Sequence, residues 1–537
     1  MFPSLTLVAN AVLADGRLTW RHLLHTLRDP GAYQTLRHSL TVSTVSAVCG
    51  TALGTALAWL VGRTDLPGRR VWDTIVLVPY MIPPFIGAIA WVYLLSPVGY
   101  LNQIWMALTG ASEPLAVIYG PAGIIFVLTL YGYPIAYASM RGVLDRMNPA
   151  LEEAARISGA RPWHVLWEIT LPLMLPGILA GGLLLFMSSL ANFGIPAVLG
   201  FPARYFVLPT KIYATILNFG MPFNLQIAAA LSMWLVVIAG VLLGVQRLIL
   251  RRGQFVVVTG QATGVHRVAL GAWKWPVGVG LALFTLVSVI LPLGAILLTA
   301  VIRAYGLPPT LENMSLQHFA TAFIGIPKVH RAFLNSLLLS GTAATAIVVL
   351  AVGIGYLIAR VRIRGAQVLE LIVTIPYAVP GTVVALAMIL AWLRPVPLLN
   401  VQLYNTIWII LLAYIARFLV FGVRTVMAGL NQVHDSLEEA ARISGSTGPQ
   451  AFRDIVLPII RPSLAAGWFL VFIPAMAELT LSILLFSAGN ETLGIVVFGL
   501  HEEGKIALSA AAALVTTVAL VALHLVTRVF TMREFVR

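Results

Sequence analysis

Apolar runs of about 20 residues recur along the chain, separated by short stretches that carry most of the charge. Thr41 to Gly62 is typical, with only small hydroxyls among its apolar residues. A bilayer core of roughly 30 Å requires about 20 mostly apolar residues per crossing helix. Runs of this kind fall at about 41–62, 72–97, 116–140, 173–197 and 226–250, then 275–301, 334–359, 369–393, 405–423, 460–487 and 507–528. A transmembrane barrel would instead alternate apolar and polar residues over segments of about 10 residues, and these runs do not alternate. The pattern predicts an all-α polytopic membrane protein with about eleven spans. Composition agrees: 59% of the 537 residues are hydrophobic and 10% charged, with a mean hydropathy of +0.92. That leaves too little polar surface for a soluble globule of this size.

The chain repeats itself. EEAARISG begins at Glu152 and again at Glu438, VPYMIPP (Val78–Pro84) answers IPYAVPG (Ile375–Gly381), and HSL at His38 answers NSL at Asn335. Both copies keep the same orientation, so this is a parallel repeat about an axis along the membrane normal. The expected organisation is a first half at 1–250, a linker at 251–273 and a second half at 274–537. The linker's Gly, Thr and Gln content suggests a flexible cytoplasmic join. The first half is expected to lack its opening helix, because Leu5–Leu13 is too short to cross where the second half has a full span. This would leave the N-terminus outside.

The net charge of +14 reflects orientation and not nucleic-acid binding, since Lys and Arg are scattered between apolar runs and form no single basic patch. With the loop around Leu151 in the cytoplasm, 22 of the 34 Lys and Arg lie inside, as the positive-inside bias requires. No cleavable signal peptide is evident at the N-terminus. Cys49, alone in the chain, excludes an intrachain disulfide, and its apolar surroundings suggest packing.

The repeated polar segment predicts two short capped helices beneath the membrane in each half. In the second copy, Asp435 is expected to cap the helix and Glu438 to bond back, as in a capping box. In the first, Asn148 is expected as N-cap with Pro149 at the first helical position. Glu152 with Arg156, and Glu438 with Arg442, have the i,i+4 spacing of ion pairs on a solvated face. Gly159 and Gly445 are placed to end each helix. A second short helix then leads through Leu-Pro into the next span. Two copies in register favour a docking knob over a mere connector.

These residues carry a resemblance. Glu153, Ala154, Ala155, Gly159, Ile169, Leu171 and Pro172, and likewise Glu439, Ala440, Ala441, Gly445, Ile455, Leu457 and Pro458, match the EAA loop of binding-protein-dependent ABC importer permeases. Two such loops in one chain resemble the fused permeases of the iron(III) and thiamine importers, and the resemblance covers nearly the whole length. It implies coupling loops at about 148–172 and 435–458, each seated in a cleft of an ATP-hydrolysing subunit. Glu153, Ala154, Ala155 and Gly159 with Glu439, Ala440, Ala441 and Gly445 are the implied ATPase-coupling residues. It also implies two copies of that ATPase, which would use ATP and Mg, an extracytoplasmic solute-binding protein, and a setting in the lipid of the bacterial inner membrane.

No catalytic residue is expected. HEEGKIALS has Gly-Lys but lacks the upstream glycine and following hydroxyl of a phosphate-cradling loop, so ATP hydrolysis is expected on another polypeptide. Ionisable groups within spans are functional candidates, and two stand out, Glu478 and Arg417. The repeat places Asn192 opposite Glu478, and this pair is the candidate pathway lining. The competing reading is that Glu478 pairs with Arg417 or caps a broken helix near Pro474. Phe193–Ile216 and Glu478–Phe498 resemble the iron(III) type of permease, which points to ferric iron as cargo, with thiamine, polyamine or phosphonate as alternatives. No His, Cys and carboxylate cluster has metal-ligand spacing, and His164 and His501 read as loop or interface residues. A secondary active transporter also accommodates parallel halves and about twelve helices, and a membrane scaffold is a third possibility. The secondary transporter gives no reason for duplicate docking loops, and the scaffold gives none for the pair Asn192 and Glu478.

Overall fold

A computed structural model describes the chain except for residues 1, 15–16, 149, 253–266, 362, 396–399 and 536–537. Most of the expected linker therefore lies outside the described residues. Among those described, ten helices are long and apolar enough to cross a membrane, and a bent pair raises the number to eleven. A two-residue hairpin, Leu13–Ala14 with Arg17–Leu18, is the small departure from an all-helical chain.

The first half runs from α1 (Phe2–Val12) through the long span α2 (Pro30–Arg63) to α3 (Pro84–Leu95) and α4 (Pro121–Arg146). The cytoplasmic helix α5 (Ala150–Ile157) follows, then α6 (Leu171–Leu190) and α7 (Asn224–Arg252). The second half repeats the order with α8 (Leu291–Val301), α9 (Pro327–Tyr356), α10 (Gly381–Trp392) and α11 (Ile407–Leu430). Its cytoplasmic helix is α12 (Asp435–Ile443), followed by α13 (Leu457–Met476) and α14 (Ile506–Phe535).

Four expected spans are broken. The run at 72–97 divides into Arg69–Ile75, Val78–Met81 and α3. The run at 369–393 bends by 107° between Ala366–Ala378 and α10. The cause lies in VPYMIPP and IPYAVPG: proline lacks the N–H that would continue the ladder, and it drives the preceding residue to extended backbone. Ile82 and Val379 have ψ of 129° and 136°. The run at 460–487 ends at Met476 and resumes as the short helix Ser482–Leu485. The run at 173–197 likewise ends at Leu190 before the buried helix Gly194–Gly200.

Beyond these breaks, α3 and α10 are buried along nearly their whole length and form the centre of the molecule. The opening helices cross over to cover them. α8 of the second half packs on α3 of the first, where the Tyr100 and Thr299 hydroxyls lie 3.0 Å apart. α1, 11 residues long, packs on α10, with Phe2 against Trp392 at 5.9 Å. Backbones approach closest where α2 crosses α4. A Cβ on Gly54 would lie 2.7 Å from the Tyr133 carbonyl, so small residues let these helices meet as they do in many membrane bundles. Cys49 does not pack inside. It is exposed on the outer side of α2, because the helix turns its small residues, and not its thiol, toward α4.

The described end of the linker is tied down. Val268 donates to the Arg63 carbonyl at 2.9 Å and Asp65 to the Val268 carbonyl at 3.1 Å. The Asp65 carboxylate accepts from the Leu270 N–H at 2.9 Å and lies 2.8 Å from the Lys274 ammonium. The Leu270 bond first, and Lys274 second, hold that carboxyl below the usual range. The second half thus begins anchored to the first.

Candidate functional site

The two repeated polar segments fold as α5 and α12 directly after α4 and α11, on the side that the positive-inside bias assigns to the cytoplasm. Asn148 Oδ1 accepts from the Ala150 N–H at 3.0 Å, the expected cap, while Pro149 lies outside the described residues. In the second copy the cap is His434, whose Nδ1 accepts from the Ser436 N–H at 3.3 Å. Asp435 is instead the first helical residue, and its carboxylate is taken by Arg360. The capping box expected from Asp435 and Glu438 is therefore absent, because Arg360 draws off both carboxylates.

Both helices end alike. Gly159 and Gly445 have φ of +88° and +92°. Ala160 donates to the Ala155 carbonyl and Gly159 to that of Arg156, both at 2.9 Å, and Ser446 and Gly445 repeat the pattern to Ala441 and Arg442 at 3.0 Å. This is a Schellman ending, which requires a left-handed residue that glycine adopts without a Cβ penalty. The expected second short helix is not separate. Pro162–Val165 runs through a π-helical turn, Leu166–Thr170, into α6, and Phe452–Val456 does the same for α13. The wider turn absorbs the missing N–H of Pro172 and Pro458 without breaking the helix.

The outward face matches between copies. Ala154, Gly159, Glu439, Ala440 and Gly445 are exposed, Glu153 and Ala155 half-buried, and Ala441 buried. Sequence reasoning passed over the largest apolar members of this face. Ile157 and Ile443 are 87% and 88% exposed, each two residues before its glycine. An isoleucine repeated at the same place in both copies of the segment was the available signal.

The i,i+4 ion pairs do not form. Glu152 and Glu438 turn inward and are buried. Glu152 Oε1 accepts from the Thr170 hydroxyl at 2.7 Å and lies 4.0 Å from Arg63 Nε. Glu438 Oε1 lies 3.6 Å from Arg360 Nε, and its Oε2 accepts from the Tyr356 hydroxyl at 3.3 Å. Arg63, buried at the end of α2, and Arg360, half-buried just beyond α9, outcompete Arg156 and Arg442, because a pair screened by water gains little.

Within the membrane, Asn192 and Glu478 hold equivalent places. Asn192 Oδ1 accepts from the Ile195 N–H at 3.0 Å at the start of Gly194–Gly200. Glu478 Oε2 accepts from the N–H groups of Leu481 and Ser482 at 2.8 and 3.2 Å. Each therefore caps a helix that follows a broken span. Arg417 makes no ion pair with Glu478. Its Nη1 donates to the Val379 carbonyl at 3.1 Å, the group freed by the break before Pro380, and its guanidinium lies over the Tyr377 ring. His164 is exposed on the cytoplasmic loop and His501 is half-buried at the end of Leu493–Glu502. Among the described residues no three His, Cys or carboxylate side chains are grouped to hold a metal ion.

Comparison with known proteins finds a family model described as "binding-protein-dependent transport system inner membrane component", matching residues 50–253 and again 351–533. A ferric transport system permease protein of Haemophilus influenzae is 25% identical over 493 residues, 91% of this chain and 76% of that protein. An Fe(3+)-transport system permease protein of the same organism is 26% identical over 474 residues, 87% of this chain and 84% of that protein. A molybdenum transport system permease protein of Escherichia coli K12 is 30% identical over 195 residues, 35% of this chain and 82% of that protein.

Proposed function

The chain belongs to the binding-protein-dependent transport system inner membrane components, and on that premise we propose that it carries ferric iron through a single polypeptide supplying both halves of the pathway. The coarser statement needs no proposal: this is the multi-pass permease of an ABC importer in the bacterial inner membrane, with its family domain present twice. The observation that carries the iron reading is near-full-length similarity to two ferric permeases. An oxyanion such as molybdate is the second reading, supported by the higher identity to a molybdenum permease over 35% of the chain.

In the proposed mechanism α5 and α12 are the coupling helices. Glu153, Ala154, Ala155 and Gly159, and their counterparts Glu439, Ala440, Ala441 and Gly445, form two like knobs for two copies of an ATPase that binds ATP and Mg. The chain itself binds neither. Closure of the ATPases displaces both knobs, and the displacement reopens the bundle around the buried helices α3 and α10. An extracytoplasmic solute-binding protein delivers cargo to the outer face. Asn192 and Glu478 flank the pathway in this reading, and their capping bonds support it by fixing polar oxygens at the break in each half.

Reconstitution with the receptor and ATPase, followed by uptake of radiolabelled ferric iron against molybdate, tests the cargo. Molybdate uptake without iron uptake would refute the ferric reading. For the pathway, Glu478→Gln keeps the caps, because the amide oxygen still accepts from Leu481 and Ser482. Its expected outcome is normal expression with uptake reduced at least tenfold, and unchanged uptake kinetics would remove Glu478 from the pathway.

A further inference from the structure

Arg63 and Arg360 occupy the same place in the two halves. They are 297 residues apart, the interval that separates HSL from NSL, and each stands at the end of the matching long span of its half, Arg63 closing α2 and Arg360 in the turn that continues α9. Arg63 is 2% exposed. Its Nη2 donates to the Leu144 carbonyl at 3.1 Å, and its Nε faces Glu152. Arg360 Nη2 donates to the Leu430 carbonyl at 2.7 Å, and its Nε faces Glu438. Leu144 with Leu430, and Glu152 with Glu438, share the 286-residue interval of the EEAARISG repeat. One guanidinium in each half therefore joins three elements: its own span, the span that leads into the coupling helix, and the coupling helix itself.

The surroundings differ while the contacts of the guanidinium to a span carbonyl and to a buried glutamate recur, and the second half adds an ion pair from Arg360 to Asp435. The carboxylate's second partner is Thr170 in the first half and Tyr356 in the second. A buried ion pair is a poor way to gain stability, because apolar residues of similar volume generally serve as well or better. Its recurrence on the same three elements in differing surroundings points to a mechanical role. The Nε-to-glutamate pairing is open in both halves, although in the second Arg360 already reaches α12 through Asp435. Arg63 Nε, Arg360 Nε and Glu438 Oε1 have no hydrogen-bond partner, and separations of 4.0 and 3.6 Å lie beyond the usual limit of about 3.2 Å. A small inward shift of the coupling helix would close each pair.

We propose that Arg63 and Arg360 are positioning residues that lock each coupling helix to the ends of two spans, so that a pull on the helix moves those spans with it. The proposal rests on the reading of α5 and α12 as ATPase-docking helices. Glu152 and Glu438 are the matching half of the lock, distinct from the outward-facing Glu153 and Glu439.

The test uses the full chain with its ATPase and receptor in liposomes. Glu152→Gln and Glu438→Gln, singly and together and each also with Asp435→Asn to remove the second ion pair of Arg360, keep a side chain that can bond Thr170 or Tyr356 and remove the charge. Three quantities are measured: ATPase affinity, receptor-stimulated hydrolysis, and cargo moved per ATP. The expected result for the double variant is affinity within twofold of wild type, continued hydrolysis, and at least a tenfold fall in cargo per ATP. Arg63→Lys with Arg360→Lys, which keeps the charge but not the fork, should give an intermediate ratio and covers failure of the glutamine variants to insert. Unchanged cargo per ATP in these variants would overturn the proposal. Loss of ATPase binding would also overturn it, by assigning the carboxylates to docking. Bulky residues at Gly159 and Gly445 serve as the control for the underlying reading: if they leave ATPase binding intact, the docking assignment fails and not the joint.

Discussion

Replacing Gly159 and Gly445 separates backbone torsion from bulk at the proposed docking knobs. A Cβ at either position would meet nothing within 4 Å, so the chain itself has room for a side chain. The cost is torsional: at φ of +88° and +92° an L-residue other than Asn or Asp loses about 1–2 kcal/mol. If docking requires the Schellman ending, Gly→Ala lowers the docking-competent fraction by up to roughly 5–30-fold per helix, taking about 1.4 kcal/mol as tenfold. Gly→Asn, larger than Ala but tolerant of left-handed backbone, should cost less than Ala. Gly→Trp adds a steric block at an exposed surface and should abolish binding while the protein still inserts. The assay is ATPase affinity for detergent-solubilised permease, with thermal unfolding as the check on folding. Wild-type affinity in the double Trp variant would refute docking. A loss that follows side-chain size, with Asn worse than Ala, would refute the torsional argument.

Three further outcomes are expected. Ile157→Ser with Ile443→Ser should weaken ATPase binding by about 1.5–3 kcal/mol for each isoleucine buried on docking, measured in the same assay, with no loss of thermal stability because both are already in solvent. Gly54→Ala should destabilise the bundle by about 1–3 kcal/mol, seen as a lower Tm, because its Cβ would lie 2.7 and 2.8 Å from the backbone of Tyr133 and Tyr137. Gly142→Ala, with nothing within 4 Å, is its neutral control. Proteolytic cleavage between residues 253 and 266 should leave the two halves co-purifying, since Leu281 and Phe284 pack among the first half's Leu57, Tyr133 and Tyr137. Separation on size-exclusion chromatography would refute that interlocking.

Spans and repeat were legible because both are written locally, the first in hydropathy and the second in recurring strings. The breaks were written locally too. VPYMIPP and IPYAVPG announced the repeat, yet their prolines also forbade the continuous spans drawn through them. The cytoplasmic helices show where local reasoning fails. Glu152 and Arg156 have the spacing of a surface pair, and nothing nearby in sequence says that Arg63, buried at the end of a span, will claim the carboxylate. Asp435 precedes a helix like a cap, but Arg360 draws it off and His434 takes the position. In both cases a long-range cation decides, and its only trace in sequence is a second interval: Arg63 recurs with the spans at 297 residues and Glu152 with the loops at 286. Glu478 was readable as a helix cap from the nearby break, whereas Arg417's partner, the Val379 carbonyl, depends on a break 38 residues away.

The two intervals also locate the difference between the halves. The first half holds eleven more residues than the second between its proline break and its coupling helix. Part of that length forms Tyr100–Thr109 on the outer side, and between α10 and α11 the described residues contain no helix. The difference in length thus falls in this segment, while α5 and α12 keep the EEAARISG string, the same Schellman endings and a guanidinium facing the buried glutamate. Such a division suits the proposed assembly. Two copies of one ATPase require two like surfaces, so α5 and α12 are held to one geometry by the same contacts. A solute-binding protein is a single chain with no internal need for twofold symmetry, so the outer faces of the halves are free to differ. On the proposed assembly the duplicate LEEAARISG answers two like partner surfaces, and cargo identity is to be sought on the unlike outer face and at the unlike pair Asn192 and Glu478.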